Sequence, residues 1–171
     1  YLSIRGSLNG QGNFYIAAVN KARSSYGGIY AYTYDFKSTH NTGTTDPGVD
    51  VILEPVADET TGVIPQPEPV IGQTCYYRVL EVRETTGGST AIQPGQMVLS
   101  VNAKADVTEL DYLRSMKAGD IFGLTVTAQS AEWNSVTEAV GALYPLVKNG
   151  VVQTANLDST NAPRTAVGIT A

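Results

Sequence analysis

The sequence has little of three things on which many functional sites depend: cysteine, histidine and net positive charge. It contains one cysteine, Cys75, and one histidine, His40, which excludes an intramolecular disulfide and the usual Cys/His zinc sites. Lys and Arg number 11 against 16 Asp and Glu, for a net charge of −5, and the absence of any basic run excludes a nucleic-acid footprint. No apolar stretch approaches the 18 or so residues of a membrane-spanning helix. We therefore predict no cofactor, no metal, no nucleic acid and no membrane span.

The residues that are abundant indicate a β-rich chain. The sequence has 17 Gly and 10 Tyr, with only 16% charged residues, a composition typical of many short strands joined by turns. Short β-branched or aromatic runs bounded by Gly, Pro, Asn or Asp predict strands at 14–19, 29–34, 49–53, 76–82, 97–101 and 121–127. These runs predict a mostly antiparallel β-sheet or a barrel-like core.

Two segments have helical patterns. Asp106 and Glu109 have the spacing of a capping box, and Leu110, Leu113 and Met116 follow on one face before Gly119. A second apolar face recurs over 132–143 and stops at Pro145. The predicted fold class is therefore α+β, with a mostly antiparallel sheet or barrel-like core and two short helices.

Length favours one domain. A chain of 171 residues can bury a single core, so we predict one domain over 1–171, or a fragment of one. The Pro-rich segment 54–69 predicts an extended surface excursion between strands. The oligomeric state stays open.

Tyrosines at alternate positions and the lone cysteine each allow two interpretations. Tyr30, Tyr32 and Tyr34 share one strand face, which suits either a sugar-stacking surface or, as we favour, an aromatic core wall. Cys75 lies in a strand-like run and is interpreted as a small buried apolar residue rather than a nucleophile served by His40.

The most distinctive segment is at the C-terminal side. Asn149-Gly150 predicts a tight turn that reverses the chain between 146–147 and 151–152. Pro163 then fixes the backbone before Arg164, whose planar fork of donors suits phosphate or carboxylate. Arg164 is thus either an anion-binding residue at a strand entrance or an ordinary surface arginine.

The segments that carry this turn and arginine resemble the phosphodiester glycosidase family. The resemblance rests on Leu146-Val147 with Asn149-Gly150, on the run Pro163–Gly168, and on ordered matches at 20–53 and 92–120. The family's Asn-Gly-x-Phe-Phe, Asp-Gly-Arg and Leu-Asp-Gly-Gly-Gly-Ser segments do not occur, and Val101-Asn102-Ala103 stands where many relatives have Gly-His. We therefore expect the chain to be the central part of a longer enzyme, or a divergent relative.

The resemblance implies hydrolysis of a sugar 1-phosphodiester, such as N-acetylglucosamine-1-phosphodiester, by the complete chain, with a carbohydrate or sugar-phosphate ligand. It places Arg164 and Thr165 at the phosphate, with Asn161 and Asp158 as sequence neighbours. Glycoside hydrolysis usually uses two carboxyl groups, but spacing does not identify the pair among the candidates Asp35, Asp46, Asp50, Glu54, Asp111, Asp120 and Asp158.

Two other functions stay open: a non-catalytic carbohydrate-binding module and a structural module of an exported bacterial protein. A binding module would use tyrosine faces and be indifferent to Arg164, whereas a structural module would expose a large apolar patch. The resemblance, together with the Thr, Gly and Tyr richness, predicts an extracellular or cell-envelope location.

Overall fold

A computed structural model describes residues 2–57, 71–128, 130, 147–148 and 150–153. The chain forms two compact units, Tyr1–Val136 and Thr137–Ala171. Within the described residues, the first unit contains seven strands and one α-helix, and the second contains a two-stranded hairpin. The prediction of a single domain over 1–171 stays a prediction.

The strands of the first unit close into a barrel. In chain order they are β1 (Leu2–Leu8), β2 (Gln11–Val19), β3 (Ile29–Thr33), β4 (Gly48–Pro55), β5 (Thr74–Thr85), β6 (Met97–Asn102) and β7 (Ile121–Ala128). Their spatial order is β1-β2-β3-β6-β4-β5-β7, and β7 returns to pair with β1. All neighbouring pairs are antiparallel except β2 and β3, which are parallel.

The barrel interior is filled by alternate residues of each strand. Successive side chains of a strand point to opposite faces, so Val49, Val51 and Leu53 of β4 point inward. The same core contains Cys75, Phe122 and Leu124. Burial of Cys75 confirms its interpretation as a small apolar residue.

One α-helix packs against this core. Helix α1 (Val107–Ser115) begins where the Asp106 side chain accepts a hydrogen bond from the Thr108 amide at 2.8 Å, which satisfies an otherwise unpaired donor. Leu110 and Leu113 are buried in the barrel core. The Glu109 side chain departs from the predicted capping box: its Oε2 accepts a hydrogen bond from the Gly28 amide at 2.9 Å and so ties α1 to the β2–β3 connection.

The six predicted strands are confirmed, five with longer bounds and β3 one residue shorter because Tyr34 begins a 3-10 helix, and the mostly β, barrel-like core is confirmed with them. The predicted α+β class with two helices differs slightly from the structure, because the described residues form one α-helix and one 3-10 helix (Tyr34–Phe36). The second predicted helix, at 132–143, lies outside the described residues. Strand β1 was not predicted. Of the Pro-rich segment 54–69, residues 54–55 complete β4 and those from 58 onward lie outside the described residues.

The second unit contains the predicted hairpin. Strands β8 (Val147–Lys148) and β9 (Val151–Val152) pair antiparallel, with Val147 opposite Val152. Gly150 has a φ of 76°, a conformation that glycine adopts without steric cost. The predicted reversal of the chain is therefore confirmed by the pairing of β8 with β9. Among the described residues, no helix is long and apolar enough to cross a membrane.

We expect Gly6→Ala to destabilise the barrel. A Cβ at Gly6 would lie 2.2 Å from Phe14 Cζ, and the Phe14 ring cannot retreat freely because its centroid is 3.8 Å from that of Tyr112. Overpacking of this kind costs about 1–3 kcal/mol. Urea unfolding checks the prediction, with Ser7→Ala on the opposite face of β1 as control. A Gly6→Ala protein as stable as the wild type would contradict it.

A second prediction concerns acid stability. The Asn9 side chain and the Lys117 amide both donate to the Asp120 carboxylate, at 3.0 and 2.8 Å, and these hydrogen bonds lower its pKa. A lowered folded-state pKa adds stability above the unfolded-state value, about 3.9, and this is lost as the pH falls through the folded-state value.

Asp120→Asn should therefore reduce the free energy of unfolding at pH 7, and the deficit should narrow below about pH 4. The measurement is urea unfolding at several pH values. Asp35→Asn, at an exposed position of the 3-10 helix, is the control. A deficit for Asp120→Asn that stays constant from neutral to acid pH would contradict the assignment.

Candidate functional site

The strongest polar cluster of the described residues lies on the outer face of the barrel, across β3, β6 and β4. The strand register places Ser100 of β6 opposite both Tyr30 of β3 and Asp50 of β4. These residues alternate with the inward-facing core residues, so they point away from the barrel interior. A second apolar cluster covers the adjoining part of this face, formed by Tyr30, Tyr32, Ile52, Ile92 and Val98.

The Tyr30, Tyr32 and Tyr34 stripe contributes to this covering layer. Tyr30 and Tyr32 are buried, and Tyr34 packs against the layer while stacking on the His40 ring at a centroid distance of 3.7 Å. His40 is held in place by a hydrogen bond between its Nδ1 and the Tyr34 carbonyl. The interpretation as an aromatic core wall is confirmed, and His40 is a loop residue as expected.

Asp50 is the centre of the polar cluster. Its side chain has no exposed surface, and its two oxygens accept hydrogen bonds from the hydroxyls of Ser100 and Thr90, each at 2.5 Å. These are short, charge-assisted hydrogen bonds of the kind that stabilise a buried carboxylate. Both carboxylate oxygens are thus engaged by protein donors.

Arg23 supplies the opposite charge from the β2–β3 connection. Its Nη1 lies 4.0 Å from Asp50 Oδ1 and donates to Ser100 Oγ and to the Val101 carbonyl, both at 2.9 Å. Its Nη2 donates to the Asp46 carbonyl at 2.6 Å. The guanidinium is only 3% exposed, so it links three chain segments from within the protein.

The hydroxyl of Tyr32 completes the cluster without a hydrogen bond. The Arg23 backbone amide is nearby, but the hydroxyl has no hydrogen-bond partner among the described residues. Burial raises the Tyr32 pKa to about 12, even though the positive charge of Arg23 acts in the opposite direction. Tyr32 therefore remains a neutral phenol at physiological pH.

Threonines extend the cluster into two loops. Thr42 Oγ1 accepts from the Thr90 amide at 3.0 Å and lies 3.0 Å from Thr44 Oγ1, which donates to the Gly88 carbonyl at 3.1 Å. The segments 41–45 and 86–92 are thereby fixed against each other over Asp50. The cluster is a buried structural network that positions loops and offers no open carboxylate to a substrate.

The residues predicted at the phosphate, Arg164, Thr165, Asn161 and Asp158, lie outside the described residues. The remaining candidate carboxylates are dispersed rather than paired in one cluster. Glu54 forms an ion pair with Arg78 at 3.4 Å, Asp46 accepts from the Asn102 side chain at 3.3 Å, and Asp120 is bound by Asn9. Within the described ranges, no group of three or more His, Cys, Asp or Glu could hold a metal ion.

Comparison with known protein families shows which family the chain belongs to. The sequence profile of the phosphodiester glycosidases matches residues 74–171, which is more than half of the chain. The chain belongs to the phosphodiester glycosidase family. The matched part begins at β5 and includes β6, α1, β7 and the β8–β9 hairpin. Searches of the curated proteins and of the solved structures gave no match.

The family match covers only part of the buried polar cluster. Thr90 and Ser100 lie within the matched residues, whereas Arg23 and Asp50 precede them. The sequence identified Asp50 only as one of several candidate carboxylates and did not indicate Arg23 as its partner. A charged residue inside the apolar run of β4 was the available signal, because a carboxylate there has to be paired or exposed.

We expect Asp50→Ala to lower the free energy of unfolding by about 3 kcal/mol, because it leaves the buried Arg23 without its carboxylate. The matched control is Glu54→Gln on the same strand. Its ion pair with Arg78 is half exposed, and removing it should cost no more than about 0.5 kcal/mol. Urea unfolding of both variants is the measurement. Equal stability of Asp50→Ala and Glu54→Gln would show that the network does not stabilise the fold.

Proposed function

We propose that this family member hydrolyses a sugar 1-phosphodiester, such as N-acetylglucosamine-1-phosphodiester, in the complete chain. The observation that supports this activity is the family match, which extends through residue 171 and includes the segment 163–168.

Arg164 is the proposed phosphate-binding residue. When the glycosidic bond breaks, negative charge develops on the departing phosphate, and a positioned guanidinium stabilises that charge. Its two parallel N–H donors match two phosphate oxygens, which a lysine cannot reproduce. Thr165 is proposed to add a hydroxyl or amide donor, with Asn161 and Asp158 beside it in sequence. The catalytic carboxylates are not assigned.

A non-catalytic carbohydrate-binding or structural module is the alternative. The observation that favours a binding role is the exposed aromatic surface of the barrel, where Tyr15 is 54% exposed. In either case we place the protein in an extracellular or cell-envelope setting, where glycans and their phosphodiesters are found.

The test compares hydrolysis of an N-acetylglucosamine 1-phosphodiester by the wild type, Arg164→Ala and Arg164→Lys. Loss of a preorganised donor to a developing oxyanion should lower kcat/KM by about 10²–10³. Arg164→Lys should recover part of this, because it keeps the charge but not the bidentate geometry. Arg83→Ala is the control: Arg83 is exposed and bound to Glu81.

Two results would contradict the proposal. Turnover that is equal in the wild type and in Arg164→Ala would remove Arg164 from the phosphate. No turnover by the wild type, with sugar binding retained, would assign the chain to the binding-module alternative.

A further inference from the structure

The barrel has a second outer face, on the strands β2, β1, β7 and β5. The inward residues of β1 and β7, such as Ile4, Leu8 and Phe122, pack in the core, so the alternate residues point outward. We call this surface the outer β1–β7 face; its principal residues are Ser3, Arg5, Tyr15, Tyr76, Thr125 and Thr127.

The strand register arranges this face in rows. Arg5 lies opposite Tyr15 on one side and Thr125 on the other. In the next row, Gly123 lies between Ser7 and Tyr76. A Cβ at Gly123 would be 2.7 Å from Ser7 Oγ and 3.5 Å from Tyr76 Cε1, so glycine keeps a shallow depression beside the Tyr76 ring.

Arg5 is the distinctive charge of this face. Its guanidinium lies over the Tyr15 ring, 5.4 Å from the centroid, and its Nε donates to Ser3 Oγ at 3.2 Å. Arg23, Arg78, Arg83 and Arg114 each lie within 4.0 Å of a carboxylate. Among the described residues, Arg5 has no such partner, and neither β1 nor β7 contains an Asp or Glu.

We infer that the outer β1–β7 face binds an oligosaccharide whose sugars are joined through phosphodiester groups. Arg5 contacts a phosphate, the Tyr15 and Tyr76 rings contact apolar sugar faces, and the Ser3 hydroxyl bonds a sugar hydroxyl. Thr125 Oγ1 lies 2.8 Å from Thr74 Oγ1 and Thr127 Oγ1 donates to the Ser3 carbonyl at 3.5 Å, so these two hydroxyls contribute acceptor lone pairs. This names a polymeric substrate class and so rests on the proposed function, although the binding itself does not require Arg164.

The positive charge of Arg5 favours a phosphodiester-linked oligosaccharide over a neutral one. The whole chain is acidic, with a net charge of −5, so an anionic polymer is repelled from most of its surface. Arg5, which has no carboxylate partner in the described part of the chain, offers a local positive charge and charge-assisted hydrogen bonds to phosphate. The aromatic rings add apolar contact area, and the hydroxyls along the strands offer further hydrogen-bonding groups.

The experiment is calorimetric titration of the full chain with a phosphodiester-linked N-acetylglucosamine oligomer and with a neutral N-acetylglucosamine oligomer of the same length. The variants are Arg5→Ala and Tyr15→Ala. Two matched controls lie off the face: Arg83→Ala, and Tyr26→Ala, where Tyr26 is 84% exposed. Hydrolysis of a small soluble sugar 1-phosphodiester is measured in parallel.

The phosphodiester oligomer should bind more tightly than the neutral one, and Arg5→Ala should weaken its binding about tenfold, as expected for loss of charge-assisted hydrogen bonds. Tyr15→Ala should weaken both ligands, while both controls stay within about twofold. Equal affinity of the two ligands, equal effects of the face variants and the controls, or no binding of the phosphodiester oligomer would overturn the inference.

The parallel assay separates this inference from the proposed function. Arg5→Ala should hydrolyse the small substrate as fast as the wild type, because Arg5 is not among the residues proposed at the phosphate. Hydrolysis of the small substrate without oligomer binding would overturn only the inference. Oligomer binding lost in Arg5→Ala, with no hydrolysis by the wild type, would support the face and overturn the enzymatic proposal.

Discussion

The buried ion pair of Arg23 and Asp50 determines how the outer layer of the barrel is organised. A carboxylate without exposed surface is costly unless hydrogen bonds and an opposite charge compensate it. Here the hydroxyls of Ser100 and Thr90 bind both oxygens, and Arg23 joins the site to the β4 entrance. The parallel pairing of β2 and β3 requires a connection that runs back from the end of β2 to the start of β3. Arg23 lies in that connection and holds it against β6.

The buried polar cluster and the residues proposed to carry chemistry lie in different parts of the sequence. The described cluster engages its charged groups internally, so it fixes loops rather than presenting reactive groups. The family match spans β5 to residue 171, and the residues proposed at the phosphate are all in its last part. Binding at the outer β1–β7 face is proposed through residues of the barrel strands alone.

The sequence was sufficient to predict six of the barrel strands, because each has a β-branched or aromatic core pattern bounded by turn residues. It was insufficient for β1, where glycine, serine and arginine interrupt the apolar alternation. It predicted the Asp106 cap, which is a local interaction, but not the bond from Glu109 to Gly28, which joins distant segments. The partnership of Arg23 and Asp50 was equally inaccessible, since it depends on the register of β4 and β6. The Arg5 and Tyr15 pair depends likewise on the β1–β2 register, which sequence spacing does not determine.

The closure of the barrel by β1 and β7 has a consequence for biosynthesis. Leu2 pairs with Ala128 and Leu8 with Phe122, so β1, which comes first among the barrel strands in chain order, meets this partner only after β7 has been synthesised. Until then, the edge of β1 that pairs with β7 presents unpaired amides and carbonyls. Such an edge is a template for pairing with other chains, and long-range pairing of this kind forms slowly. Charged and polar side chains reduce such pairing, and β1 has two serines and one arginine among its seven residues.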